Sequence, residues 1–163
     1  MKKAMRFDTL DFINVGTGEA EEWALMGGFN KLDESPSPKV DTKGYVHDRA
    51  ASSTVTGYEP SFPFESDRIV DDKANKMLYE IGRNQKTGED AEVDYIRVEL
   101  TEEITGAEKS NTFAARKFRC AVEVTDISGE SLEVQKVSGT LYQCGDFIDG
   151  EFNIETKKFT AAA

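Results

Sequence analysis

The chain has 163 residues, a net charge of −11, and 38% hydrophobic against 31% charged residues. That length supports a single domain with its own core, and ten Phe and five Tyr supply large apolar surfaces to fill it. The acidic balance, without any clustered run of Lys and Arg, excludes a protein that grips a nucleic acid by its phosphates. Met1 to Arg6 is basic like the start of a signal peptide, but the apolar stretch that should follow is missing. No segment approaches the ~18 apolar residues of a membrane span. The expectation is a soluble chain, kept in a cytoplasm, with no membrane insertion.

Leu10 to Val15 reads as a first strand, broken by Gly16-Thr17-Gly18. Trp23 to Phe29 is a second apolar run, too short for a helix and interrupted by Gly27-Gly28. Between residues 30 and 53 the composition shifts. Ser35-Pro36 and Ser37-Pro38 push the residue before each proline out of helix, and apolar periodicity is weak. A structureless loop of that size is unusual inside a compact domain. The reading is therefore a long loop ordered by a neighbouring subunit. Thr54–Tyr58 and Ser61–Glu65 read as strands on either side of a turn at Glu59-Pro60, and Pro63 places the second at an edge or a bulge.

One helix follows. Asp71 or Asp72 can cap its N-terminus, and Ala74, Met77, Leu78 and Ile81 recur at helical spacing as one apolar stripe. Gly82 is the expected stop, with Arg83 near the negative end. After a turn at Lys86–Asp90 the chain reads as strands. Ile96, Val98 and Leu100 alternate with Tyr95, Arg97 and Glu99, and Phe118, Cys120, Val122 and Val124 alternate with Lys117, Arg119, Ala121 and Glu123. Beyond a turn at Asp126–Glu130, Leu132 and Val134 resume the alternation. Val137 and Leu141 continue it in opposite phase, which predicts a bulge near Gln135-Lys136. Gly145, Asp146, Asp149 and Gly150 mark a last turn, Phe152 and Ile154 a last strand, and a short flexible tail ends the chain. The sum is a mainly β, α+β domain: an antiparallel β-sandwich or partly open barrel with one flanking α-helix and a long loop.

Residues that carry chemistry are sparse. His47 is the one histidine, and Ser52 and Ser53 near it lack the elbow that presents a nucleophile. Asp71-Asp72 is better explained as a helix cap than as an acid/base pair. Asp146–Glu151 lacks the spacing of a calcium loop, and Gly16-Thr17-Gly18 lacks the rest of a phosphate cradle. Cys120 reads as a small buried hydrophobe, and its pairing with Cys144 is left open. No catalytic residue, cofactor or metal site is expected. An alternative non-enzymatic reading, a β-sandwich binding module, would use Trp23, Tyr58 and Tyr142 as an aromatic patch. Core packing is the plainer role for those rings.

The order of features over residues 1–95 resembles the tail tube, or major tail, proteins of tailed bacteriophages. Asn14-Val15-Gly16 and the run ending in Gly27-Gly28-Phe29 come first, then the Ser/Pro stretch leading to Lys43-Gly44-Tyr45-Val46. Next come Ser53-Thr54-Val55-Thr56-Gly57-Tyr58-Glu59-Pro60-Ser61-Phe62, Asp67, the amphipathic helix and Gly88-Glu89-Asp90-Ala91. The later strands fit the family in pattern only, and another virion component, such as a decoration protein, is the alternative. The resemblance implies a β core with a flanking helix and subunits that form hexameric rings. The rings stack into a virion tail through the long loop and terminal arms, with DNA passing through the channel without specific binding. It also implies tape measure, tail terminator and distal tail proteins as partners, and assembly in the host cytoplasm. The candidate assembly residues under that reading are Ser35, Pro36, Pro38, Tyr45, His47, Thr54, Tyr58 and Phe62.

Overall fold

A computed structural model describes residues 1–163 as eleven strands, one α-helix and two short 3-10 turns. The strands are β1 (Thr9–Asn14), β2 (Trp23–Leu25), β3 (Phe29–Leu32), β4 (Pro38–Lys43), β5 (Ser52–Tyr58), β6 (Ser61–Asp67), β7 (Glu92–Glu103), β8 (Thr112–Ser128), β9 (Lys136–Gln143), β10 (Ile148–Asn153) and β11 (Lys158–Ala161). The helix α1 (Lys73–Arg83) lies between β6 and β7. The chain is thus mainly β and antiparallel with one helix, as its sequence predicts.

The main sheet runs β2-β1-β7-β8-β9-β6-β3, with β10 joined to β8 and β11 to β10. It is open and not a closed barrel. Its two edge strands, β2 and β3, are nevertheless consecutive in the chain, joined through Met26, Gly27 and Gly28. The sheet therefore curls toward itself without a backbone ladder across the seam. Arg6 spans that seam: its guanidinium donates to Leu32 O (3.2 and 3.1 Å) and to Asp11 Oδ2 (2.5 Å). Tyr95 Oη donates to the other oxygen of the buried Asp11. Desolvation first, then the Asp11 charge, holds the Tyr95 hydroxyl well above its ordinary pKa.

Two cores form on opposite faces of β1 and β7. Ile13, Val93 and Tyr95 join Phe62, Phe64, Phe118, Cys120 and Leu141 in one, which α1 covers with Ala74, Leu78 and Ile81. Phe12, Ile96 and Val98 join Trp23, Ala115 and Phe152 in the other. The Phe152 ring lies 4.8 Å from Phe12 and 6.4 Å from Trp23, so β10 folds back over this second face. Tyr95 is expected on the polar side of β7, yet it is fully buried. A strand buried on both faces has no outward row, so its alternation does not separate core from solvent.

The helix is capped as predicted, with Asp72 Oδ1 accepting from Asn75 N at 2.8 Å. Asn75 is buried and pins the connection from β6, its amide donating to Ser66 Oγ and Asp67 O and accepting from Ile69 N. Gly82 does not stop the helix, which runs on to Arg83. A Cβ there would come within 2.7 Å of Val124, so this glycine sets how closely α1 sits on β8. Pro63 is in β6, one strand in from the edge. Its carbonyl accepts from Asp33 N on the β3 side, where the ladder is irregular at Phe29/Lys31, so its missing N–H falls outside the β9 ladder. Leu132 and Val134 are not in a strand. They lie exposed in the β8–β9 turn, and the irregularity expected at Gln135-Lys136 is in β8, between Val124 and Asp126. The end of the chain adds β11 to the sheet edge beyond the last strand expected.

Gly139 faces that irregular stretch, and a Cβ on it would lie 1.9 Å from Glu123 O. The obstacle is backbone held in a ladder, so Gly139→Ala should destabilise the fold by about 1–3 kcal/mol. Urea unfolding checks this, and a midpoint equal to the parent's would mean that β8 and β9 separate freely at this position.

Candidate functional site

The segment 30–53, expected as a long loop, contains β3 and then half of a projecting two-stranded arm formed by β4 and β5. Val40 pairs with Val55 and Lys43 with Ser52, with an irregularity between Lys39 and Val40. Thr42 and Ser53 share a hydroxyl contact of 2.9 Å. At the tip Asp48 Oδ2 accepts from Tyr45 N (2.9 Å), and Asp48 N donates to Tyr45 O (2.9 Å). The Asp48 carboxylate thus satisfies the first N–H of the turn that its own N–H closes. Every β4 residue is exposed, and so is every β5 residue except the half-buried Gly57. Val40 (57%), Val55 (53%) and Val46 (95%) offer their side chains to solvent. A two-stranded hairpin without a covered face is marginal in water.

The arm's root is firmer. Ser35 and Ser61 exchange backbone bonds of 2.8 and 2.9 Å, and Glu59 N donates to Ser37 O. Glu34 accepts two hydrogen bonds from the Arg116 guanidinium of β8, at 2.7 and 2.9 Å. Such a fork fixes orientation as well as charge. The same guanidinium lies over the rings of Phe118 and Phe147, at 5.2 and 5.4 Å. The Arg116 hydrogen bonds hold the Glu34 carboxyl below the usual range, and Glu34 in turn raises Arg116.

The predicted assembly residues divide along the arm. Ser35 is in the root bridge, and Pro36 lines a cleft of about 860 Å³ together with Tyr58, Tyr142, Phe147 and Asp146. Pro38 opens β4 opposite Tyr58, and Thr54 is on the shaft opposite Asp41. Tyr45 and His47 are at the exposed tip. Phe62 differs: it is fully buried, with its ring 4.9 Å from Tyr95 and 4.8 Å from Phe118, so it belongs to the core and not to a surface of this chain. Trp23 is likewise buried, whereas Tyr58 and Tyr142 are exposed. Sequence reading missed the Val40–Val55 pair and the Glu34–Arg116 fork. An apolar residue in each half of a polar stretch signals the first, but nothing in the sequence signals the second, which tertiary structure alone creates. Burial, above all, raises the pKa of the Cys120 thiol, leaving it un-ionised and inert.

Because the Glu34 carboxyl is depressed in the fold, its anchoring of the arm is complete above the ordinary carboxylate range and fades as pH falls through the lower folded value. Amide exchange at Ser35 and Ser61, corrected for intrinsic rates, should accelerate across that acid window. In Glu34→Gln the root should exchange faster at neutral pH and show no such step. A wild-type profile without a step would exclude this anchoring role.

No protein-family model matches the sequence, and no curated protein matches it. Among solved structures, the fold is similar to that of the SPP1 tail tube, solved by solid-state NMR and cryo EM. The TM-score is 0.69 at 12% identity, covering 90% of this chain and 78% of that one. It is also similar to the tail of an empty GTA particle solved with helical refinement and C6 symmetry, with a TM-score of 0.61 at 10% identity, covering 98% of this chain and 100% of that one. At these identities the likeness is one of fold: the chain shares the fold of these tail tube and tail structures, the fold that the resemblance in residues 1–95 implies.

Proposed function

We propose that the chain is a structural virion protein, the subunit of a phage tail tube whose stacked hexameric rings enclose a channel for DNA passage. The observation that carries this reading is the arm. Its ladder is exposed on both faces and along both outer edges, with Val40 and Val55 side by side, on a fold similar to that of assembled tail tubes. A second copy supplies the apolar layer that the arm lacks in its own chain, as strands with free edges recruit another chain. Rings stack through the arm, with its tip on the next ring.

The role is assembly, not catalysis. The net charge of −11 favours a channel that repels a polyanion and lets it slide. Tape measure, tail terminator and distal tail proteins are the partners at the tube's core and ends. The subunits assemble in the host cytoplasm and end in the virion tail. The binding-module alternative has one observation in its favour, the cleft that brings Tyr58 and Tyr142 together at the arm root.

Electron microscopy of the purified protein across a concentration series tests the reading. Wild-type chains should form rings and tubes of six-fold symmetry. The double variant Val40→Asp/Val55→Asp should keep the circular dichroism of the folded chain and lose stacking. A wild-type chain that stays monomeric throughout and binds a ligand saturably would replace the tube reading with the alternative.

A further inference from the structure

The end of the sheet opposite the arm carries two complementary features. β6 starts at the arm root, where Ser61 pairs with Ser35, and ends where Asp67 pairs with Lys136 at the β8–β9 turn. In that turn Leu132 is fully exposed at 104% and held at φ +69°, a left-handed conformation that costs an apolar L-residue energy. Val134 (62%) is exposed beside it, and the carboxylates of Glu130 and Glu133 flank it. The result is an apolar knob between two acids.

Beside the turn's root is a groove of about 230 Å³ between α1 and the link from β6. Its apolar surface comes from Ile69, Val70 and Tyr79, and its cations are Arg68, Lys76 and Arg83, with Glu80 the single carboxylate lining it. Val70 is 75% exposed. Arg68 is fixed in place: its guanidinium lies 3.9 Å over the Tyr79 ring and donates to Gln135 Oε1 at 2.7 Å. In a chain with 31 acidic and 20 basic residues, three cations around an apolar hollow form a local reversal of charge.

We propose that the β8–β9 turn of one copy seats in this groove of a neighbouring copy. Leu132 lies against Val70 and Tyr79, and Glu130 and Glu133 lie against Lys76, Arg83 and Arg68. The knob does not fill its own groove, because Leu132 is bare in the single chain. Knob and groove are different patches, and a turn seated in the next copy's groove, with no return contact from that copy, makes a heterologous, lateral interface. It turns the chain around a closed ring, whereas the arm at the far end works along the stack. The inference rests on the self-assembly proposed above and names the surfaces that make the ring.

Three sets of exposed substitutions test it in the full chain. Glu130→Lys/Glu133→Lys and Lys76→Glu/Arg83→Glu should each raise the concentration needed for ring formation by about tenfold or more, read by sedimentation and microscopy. Combining all four changes in one chain should restore assembly to near the wild-type concentration. Leu132→Gly removes the knob while relieving the left-handed backbone. It should leave unfolding unchanged or improved and still weaken assembly. Wild-type rings with either reversal or Leu132→Gly equally competent would overturn the contact and leave the tube reading standing. A combined variant no better than the single reversals would also overturn it. A wild-type chain that forms no ring at any concentration would overturn both.

Discussion

Strand β8 divides one of its edges between two partners, and the rest of the molecule follows from that division. Along one side it pairs with β7. Along the other, Thr112–Lys117 pair with β10 and Cys120–Ser128 with β9. Between the two ladders Cys144 N donates to Arg119 O, which bridges the changeover. The two halves of the strand serve different cores. Ala115 packs with Phe152, which β10 carries over one face, while Cys120 and Val122 pack under α1 on the other. The close approach at Gly139 and the irregularity at Val124–Asp126 let β9 stay paired as the strand passes the helix.

The second constraint is the seam where the open sheet curls on itself, spanned by Arg6 between Asp11 of β1 and Leu32 of β3. Closure by a backbone ladder would make a barrel. Here side chains take its place: Arg6 occupies Leu32 O, and Asp11 is satisfied by Arg6 and Tyr95. A buried carboxylate is tolerated because every partner it needs is present. An edge occupied in this way is not a template for another chain. The arm is the opposite case, since β4 and β5 pair only with each other and bury nothing. The firm root at Ser35, Glu34 and Arg116 then matters, because it aims a ladder that its own chain does not cover.

Sequence periodicity was informative where one face was wet and one dry. Phe118, Cys120, Val122 and the stripe Ala74–Leu78–Ile81 were readable for that reason, and so was the Asp72 cap. It failed in two opposite situations. β7 has both faces buried, so Tyr95 and Ile96 are equally hidden and alternation carries no sign. The arm has both faces exposed, so its first strand, β4, looked like a loop, and only Thr54–Tyr58 of β5 was legible as a strand. Leu132 and Val134 show a third limit: their spacing fits a strand, but the chain there turns and the pattern is incidental. Along the candidate surface, Tyr45, His47 and Tyr58 are exposed, Tyr58 against the core role that is plainer for its ring, while Phe62, an aromatic in the same stretch, faces inward. The difference lies in the sheet each residue joins: Tyr58 ends the two-stranded arm, whereas Phe62 is in β6 of the main sheet, and sheet membership is decided by the partner strands.

In the proposed assembly, the charge distribution separates what would hold the copies together from what they present elsewhere. A net charge of −11 on each copy opposes association, but at physiological ionic strength screening confines that repulsion to about 8 Å. Contacts between copies must therefore be short-ranged and locally matched. The arm meets this condition with apolar side chains, and the far end meets it with cations gathered beside α1 and acids gathered on the β8–β9 turn. If these patches neutralise one another on assembly, the excess acid is left on the surfaces that remain open. Under the proposed arrangement those surfaces include the wall past which DNA moves. Within that proposal, the same excess of acid that argues against phosphate binding suits the wall to let a polyanion pass without holding it.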